Sequence, residues 1–163
     1  MAGGPIVPMS AFPVTSGVAY VLIYQGAGTT EDRSEMYGLA AAADVAADGI
    51  AWHLVFRVPE TLPTGTGKLR ITTRANATSG VIGLNIQWVS VAGTESPDDA
   101  TMNDETSTDI TTPATADQYL QTLVTLDADT LVAKELVHMN IEVDDSAHTI
   151  AAETGMWFEI IWE

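Results

Sequence analysis

The stretch IAWHLVFRVPETLPTGTGKLRITTR, residues 50–74, decides the fold class because apolar and polar residues alternate on both sides of a turn-rich segment. In its first part, large apolar side chains recur at every second position. A β-strand points successive side chains to opposite faces, so this spacing predicts a strand with one buried face. The predicted core face comprises Ile50, Trp52, Leu54, Phe56 and Val58.

The same period of two recurs along most of the chain. Segments rich in Gly, Pro, Asp and Thr separate the alternating runs, which is typical of all-β domains whose strands are joined by turns. The chain is therefore predicted to fold as an all-β, antiparallel β-sandwich, jelly-roll-like, with about eight strands. The further predicted strands are Val18–Tyr24, Lys68–Arg74, Ile82–Val91, Thr108–Thr112, Tyr119–Leu126, Leu136–Asp144 and Gly155–Glu163.

One segment does not follow this pattern. Ser34–Gly49 is rich in alanine and begins with a serine and acidic residues, which favours a helix. Gly38 interrupts it, however, and a strand candidate follows it directly. A short helix and an extended or loop segment both remain open here.

The length of 163 residues predicts one domain with one substantial core. We expect residues 14–163 to form that domain and residues 1–13, which are rich in Gly and Pro, to form a flexible N-terminal arm. The N-terminus lacks the basic and apolar regions of a signal peptide, and no apolar run is long enough to span a membrane. These features predict synthesis in the cytoplasm.

Charge excludes several partners. Six Lys and Arg residues against 22 Asp and Glu residues give a net charge of -16. Such a chain repels phosphate backbones and anionic lipid surfaces, so we expect neither nucleic acid nor membrane as a partner. Cysteine is missing from the sequence, which excludes disulfides, thiol nucleophiles and thiolate metal sites.

Candidate chemistry is sparse, and we expect no enzymatic activity and no cofactor. His138, Asn140 and Glu142 share a strand face, but solvent exposure is favoured over metal binding because no zinc-like ligand spacing is visible. Glu142 and Glu159 are mid-strand carboxylates of the kind that glycosidases use, without evidence that they converge. An acidic loop from Glu95 to Asp109 could bind calcium, although it lacks the spacing of an EF-hand loop and a solvated rim is favoured. Its acids are Glu95, Asp98, Asp99, Asp104, Glu105 and Asp109.

Aromatic and basic residues offer binding surfaces instead. Trp157 falls on the polar face of the last strand and is the tryptophan best placed to stack on a sugar, whereas Trp52, Trp88 and Trp162 fall on core faces. The basic residues concentrate on one strand, which predicts an interface with acids of the same chain or of a neighbouring copy. That patch comprises Lys68, Arg70 and Arg74, with Arg57 on the strand expected beside it.

The order of turns and strands resembles the small jelly-roll structural proteins of tailed bacteriophages. The similarity lies in the blocks LPTGTGKLRITTRANATSGVIGLNIQWVSVAGTES and TTPATADQYLQTLVTLDADTLVAKELVHMNIEVDDSAHTIAAETGMWFEIIW. This sequence differs from the family pattern at two places. Ala133, Lys134 and Glu135 stand where a glycine-aspartate turn is usual, and His138, Asn140 and Glu142 stand where outward arginines are usual.

The resemblance implies a non-enzymatic capsid decoration protein that binds the major capsid protein at the surface of the virion as a homotrimer. Many weak contacts would then sum to strong attachment. In this interpretation residues of the N-terminal arm also contact the capsid: Pro5, Ile6, Val7, Pro8 and Phe12. One alternative is a tail-tip or fibre module that binds glycan on the host surface. A second, from another class, is a free carbohydrate-binding module or hydrolase, which the lack of a secretion signal disfavours.

Overall fold

The computed structural model describes residues 10–13, 20–23, 36–39, 49–75, 77–94, 102, 104–126, 131–151 and 154–163. Within these residues the chain forms ten β-strands. Their bounds are β1 Ser10–Pro13, β2 Tyr20–Ile23, β3 Met36–Leu39, β4 Gly49–Arg57, β5 Gly67–Ala75, β6 Val81–Val91, β7 Asp104–Thr111, β8 Tyr119–Thr125, β9 Leu136–Val143 and β10 Thr154–Trp162.

The strands form two five-stranded sheets, in the orders β1-β4-β9-β6-β7 and β2-β3-β10-β5-β8. Every neighbouring pair is antiparallel. The eight strands from β3 to β10 have the strand order of a jelly roll, since β3 neighbours β10, β4 neighbours β9, β5 neighbours β8 and β6 neighbours β7. The predicted all-β antiparallel sandwich is thereby confirmed, and the short strands β1 and β2 extend its two sheets.

Among the residues whose burial the structure describes, the core residues that lie in strands come from four strands of the first sheet (β4, β9, β6 and β7) and three of the second (β10, β5 and β8). Trp52 is fully buried and meets Phe158 of the opposite sheet edge to face, with ring centroids 5.3 Å apart. This contact links the two sheets. The core positions predicted from alternation in β6 and β9 are all buried: Ile82, Leu84, Ile86, Trp88, Val137, Met139, Ile141 and Val143.

A β-bulge interrupts β4 near its start. Ile50 pairs with Glu142, whereas Trp52 pairs with Ile141, so the register shifts between these two positions. One extra residue on one strand changes the phase of the alternation. The predicted core face of this strand is confirmed from Trp52 to Val58.

The structure also shows the conformation of part of Ser34–Gly49, the segment for which a helix and an extended or loop conformation were both open. Met36–Leu39 is strand β3, paired with both β2 and β10, so these four residues are extended. Ser10–Pro13, assigned above to the N-terminal arm, pairs with β4 as the edge strand β1. No helix within the described residues is long and apolar enough to cross a membrane.

Candidate functional site

The outward side of β10, β5 and β8, called here the β10-β5-β8 face, carries a band of polar and aromatic side chains. In β5 the even-numbered positions point outward, because the odd-numbered positions alternate with them and include the core residues Leu69 and Ile71. The register brings three rows together across the strands. These rows are Glu159–Arg70–Leu123, Trp157–Thr72–Gln121 and Gly155–Arg74–Tyr119.

An aromatic pair forms on this face between Tyr119 of β8 and Trp157 of β10. The two rings meet edge to face, with centroids 5.4 Å apart and an interplanar angle of 69°. Tyr119 is 52% exposed and Trp157 is half-buried. The guanidinium carbon of Arg74 lies 5.9 Å from the centroid of the Tyr119 ring, within range of a cation–π contact. Two aromatic rings and one cation thus form a continuous surface across three strands.

The basic residues predicted as a patch do share this face, and each lies beside an acid of the same chain. Lys68 pairs with Glu163 at 3.0 Å, and Arg70 pairs with Glu159 at 2.8 Å. Arg74 lies 3.5 Å from a carboxylate oxygen of Asp117, a looser contact. The three cations are balanced by three carboxylates, so this part of an acidic chain is close to neutral.

A buried hydroxyl lies beneath the aromatic pair. Thr72 is 3% exposed and stands between Trp157 and Gln121 in the register. Its Oγ1 has no hydrogen-bond partner among the described residues. Leaving a buried hydroxyl unpaired costs roughly 1 to 3 kcal/mol. The side chains that cover Thr72 on this face therefore leave its hydroxyl without a hydrogen bond.

Arg57 lies elsewhere. It belongs to β4, which is in the other sheet, so the expectation that it lies on the strand beside Lys68, Arg70 and Arg74 is wrong. The alternation that places a residue on a face does not specify which strands become neighbours. The guanidinium of Arg57 donates a hydrogen bond of 2.7 Å to the backbone oxygen of Lys134. An interface role for these four residues stays a prediction.

The outward side of the first sheet carries a second polar cluster. His53 of β4 pairs with Asn140 of β9 in the register, and Val55 pairs with His138. His53 Nδ1 lies 2.8 Å from Asn140 Oδ1, and His53 Nε2 lies 3.1 Å from His138 Nδ1. Burial, and secondarily the neighbouring His53, lower the pKa of His138 below its ordinary value of 6.5. The predicted solvent-facing His138 is thus half-buried beside a second histidine.

The two carboxylates considered for glycoside hydrolysis are not brought together. Glu142 is in β9 of the first sheet, whereas Glu159 is in β10 of the second. Both alternate with core residues, so they point outward on opposite sides of the sandwich. A catalytic pair needs carboxyl groups within about 10 Å of each other on one cleft. Glu142 and Glu159 therefore cannot act together on one glycosidic bond.

Several predicted residues fall outside the part of the chain that the structure describes. These are the arm residues Pro5, Ile6, Val7 and Pro8 and the loop acids Glu95, Asp98 and Asp99. The second half of the predicted acidic loop is strand β7, which places the backbone of Asp104, Glu105 and Asp109 opposite β6. Phe12 is in β1, opposite His53. Among the described residues, no group of three or more His, Asp or Glu side chains is arranged to hold a metal ion.

Sequence reasoning singled out Trp157 and missed its partner Tyr119. Alternation already placed Leu120, Val124 and Leu126 on the core side of β8, which leaves Tyr119 on the outward side. The missing information was the strand order, since β8 and β10 are separated by β5. The histidine cluster was missed for the same reason, because His53 and His138 belong to strands far apart in the sequence.

Comparison with known proteins supports the fold. No family model and no curated protein matches the chain. An arabinose-bound α-L-arabinofuranosidase structure superposes with a TM-score of 0.51 at 12% identity, over 92% of this chain and 22% of that one. This chain therefore spans about a fifth of that enzyme's length.

Two further structures are similar over nearly their whole length. The K3 cleaved adhesin domain of Lys-gingipain from Porphyromonas gingivalis gives a TM-score of 0.47 at 13% identity, covering 100% of this chain and 99% of that one. A xylan-binding module gives 0.44 at 15% identity, covering 96% of each chain. Likeness at such low identity concerns the β-sandwich alone. These three structures add no support to the phage resemblance.

Proposed function

We propose that this chain is a non-catalytic binding module that binds saccharides on the β10-β5-β8 face, over Tyr119 and Trp157. The observation that carries the proposal is the aromatic pair itself. Two rings from non-adjacent strands meet on an outward sheet face, and Tyr119 keeps 52% of its surface exposed. Large aromatic side chains that stay in water with one polar edge are typical of binding surfaces.

The surroundings of the pair suit a sugar. A pyranose ring has apolar C–H faces and a rim of hydroxyl groups, so it fits an aromatic surface bordered by hydrogen-bonding groups. Gln121 is exposed in the row next to Tyr119, and Arg74 lies in the same row as that tyrosine. Amide and guanidinium groups are donors that can reach ligand hydroxyls while the rings hold the apolar face.

The charge balance favours a neutral ligand. Lys68, Arg70 and Arg74 are each accompanied by a carboxylate of the same chain, and the chain as a whole carries a net charge of -16. A strongly anionic glycan would be repelled by that overall field. The proposed ligand is therefore an uncharged oligosaccharide, bound through stacking and hydrogen bonds.

An array of immobilised oligosaccharides tests the proposal. The full chain, fluorescently labelled at its N-terminus, should bind a subset of neutral glycans, and the Tyr119→Ala, Trp157→Ala double variant should lose those signals. The control is Leu62→Ala, which removes an exposed apolar side chain in the β4–β5 connection. Signals of equal strength from the wild type and the double variant would contradict the proposal.

Attachment to a phage capsid is a second reading, and it rests on the resemblance of the sequence. In this second proposal the chain binds the major capsid protein as a homotrimer. Quantifying the chain in purified virions distinguishes the readings: hundreds of copies per particle would support decoration, whereas a few copies would support a glycan-binding tail component.

A further inference from the structure

The cluster of His53, His138 and Asn140 lies on the outward side of the first sheet, which the proposed function does not use. His53 and His138 are brought together because β4 and β9 are neighbours in that sheet. Their ring centroids are 5.3 Å apart, and the nearest nitrogens are separated by 3.1 Å. Two imidazoles therefore present nitrogen atoms to each other at a partly exposed surface.

The hydrogen bonds fix which ring nitrogens carry hydrogen. Asn140 Oδ1 can only accept, so His53 Nδ1 donates to it over 2.8 Å. In the neutral ring the other nitrogen, His53 Nε2, then has a free lone pair. His138 Nδ1 donates to that lone pair over 3.1 Å. Asn140 thus holds His53 in the tautomer whose Nε2 can bind a cation.

We propose that His53 Nε2 and His138 Nδ1 bind one divalent transition-metal ion of the copper, nickel and zinc group. Imidazole nitrogen is a preferred ligand for these ions. Two nitrogens bound to the same ion at about 2.1 Å lie roughly 3.0 Å apart at a right angle and roughly 3.4 Å apart at a tetrahedral angle. The observed separation of 3.1 Å lies between these values, so the two nitrogens are already at a distance that one ion can bridge.

Both rings must turn to accept the ion, because ring centroids 5.3 Å apart and nitrogens 3.1 Å apart mean that the two nitrogens point at each other along one line. In the hydrogen-bonded pair the hydrogen on His138 Nδ1 occupies the space between the nitrogens. On metal binding that hydrogen moves to Nε2 of the same ring through solvent, which changes the tautomer and releases no net proton. Water molecules then complete the coordination, since the protein supplies two ligands.

Two further features favour a cation here. The hydrogen bond from His53 to Asn140 is the kind of outer contact that orients metal-binding histidines. The net charge of -16 raises the local concentration of cations at the protein surface. The proposal is independent of saccharide binding, because the two sites are on opposite outer faces of the sandwich.

Calorimetric titration of the full chain with nickel chloride, and then with copper chloride, tests the site. We expect binding at one site, tighter for Cu²⁺ than for Ni²⁺ in keeping with the general affinity order of these ions. His53→Gln and His138→Gln should each weaken binding by more than about tenfold, since each removes one of two protein ligands. Asn140→Ala keeps both imidazoles and should weaken binding less than either histidine variant.

The matched control is Gln87→Ala, which changes the residue opposite Asn140 on β6 and leaves both histidines in place. Its affinity should equal that of the wild type. Unchanged metal affinity in the His53→Gln, His138→Gln double variant would overturn the proposal, and so would failure of the wild type to bind either ion at millimolar concentration.

Nitrogen NMR with Zn²⁺ gives a second readout. Coordination through His53 Nε2 and His138 Nδ1 is expected, and coordination through the opposite ring nitrogens would also overturn the proposal.

Discussion

Trp157 and Tyr119 meet edge to face with ring centroids 5.4 Å apart, although strand β5 lies between the strands that carry them. The contact therefore crosses a whole strand on the outer face of the sheet. Trp52, by contrast, meets Phe158 inside the sandwich. Trp157 and Phe158 are neighbours in β10 and thus lie on opposite sides of the same sheet. Trp157 lies at the surface, and Phe158 packs against the core.

Replacing Trp52 should cost far more stability than replacing Trp157. Trp52 is fully buried in the core, so Trp52→Ala should lower the free energy of unfolding by about 3 to 5 kcal/mol. Trp157→Ala loses a surface aromatic contact worth about 0.5 to 1.5 kcal/mol in addition to its partly buried area. Urea denaturation of both variants measures the difference. Equal losses would mean that Trp157 belongs to the core, against the surface role given to it here.

Gly80 should not tolerate a side chain. Its φ of +116° is a conformation that residues with a Cβ rarely adopt, and a Cβ there would lie 2.8 Å from Cα of Ile150. Gly80→Ala should therefore destabilise the fold by about 1 to 3 kcal/mol. Gly93→Ala is the matched control, since a Cβ at Gly93 meets no described atom within 4 Å. Thermal melting of the two variants side by side checks the prediction, which fails if both melt alike.

The ion pair between Arg70 and Glu159 should contribute modestly to the stability of the fold. The atoms are 2.8 Å apart, but both side chains remain about a quarter exposed, at 23% and 28%. A double-mutant cycle with Arg70→Met and Glu159→Gln should give a coupling energy of about 0.2 to 1 kcal/mol that shrinks in high salt. A coupling of zero at low salt would show that the pair contributes nothing to folding.

Asp144 should stay ionised at unusually low pH. A hydrogen bond from the Ser146 hydroxyl, at 2.5 Å, is the main cause that lowers the pKa of Asp144 below its ordinary value of 3.8. Because the folded pKa is depressed, the contribution to stability is complete above pH 3.8 and is lost as the pH falls through the folded pKa. NMR titration of Ser146→Ala should show the pKa of Asp144 moving up towards 3.8.

The control for this titration is Thr64→Ala, which removes an exposed hydroxyl in the β4–β5 connection. It should leave the titration of Asp144 unchanged. An Asp144 titration that is the same in Ser146→Ala and in the wild type would contradict the assigned cause.

The sequence predicted most of the sandwich because alternation is a local property of each strand. The core faces of β6 and β9 and the outward position of Trp157 follow from the period of two alone. Strand order is a global property, set by how the whole chain packs, and local spacing does not contain it. Arg57 was therefore placed beside the wrong strand, and the contacts between Tyr119 and Trp157 and between His53 and His138 were not foreseen.

The bulge in β4 shows a second limit of predicting structure from the alternation of apolar and polar residues. The extra residue that shifts the register between Ile50 and Trp52 lies near Gly49, at the start of the strand, where a glycine is equally expected in the connection before a strand. A strict period of two does not predict this shift of register. Bulges are determined by the pairing with the neighbouring strand, here β9, and that pairing is visible in the structure alone.

The most direct test of the central claim is the affinity of the chain for its strongest neutral oligosaccharide, measured by isothermal titration calorimetry. Tyr119→Ala and Trp157→Ala should each weaken binding by about fivefold or more, since one aromatic contact is worth on the order of 1 kcal/mol or more. Leu62→Ala removes an exposed apolar side chain in the β4–β5 connection, away from the β10-β5-β8 face, and should leave the affinity within about twofold of the wild type. Unchanged affinity in both aromatic variants would contradict the account.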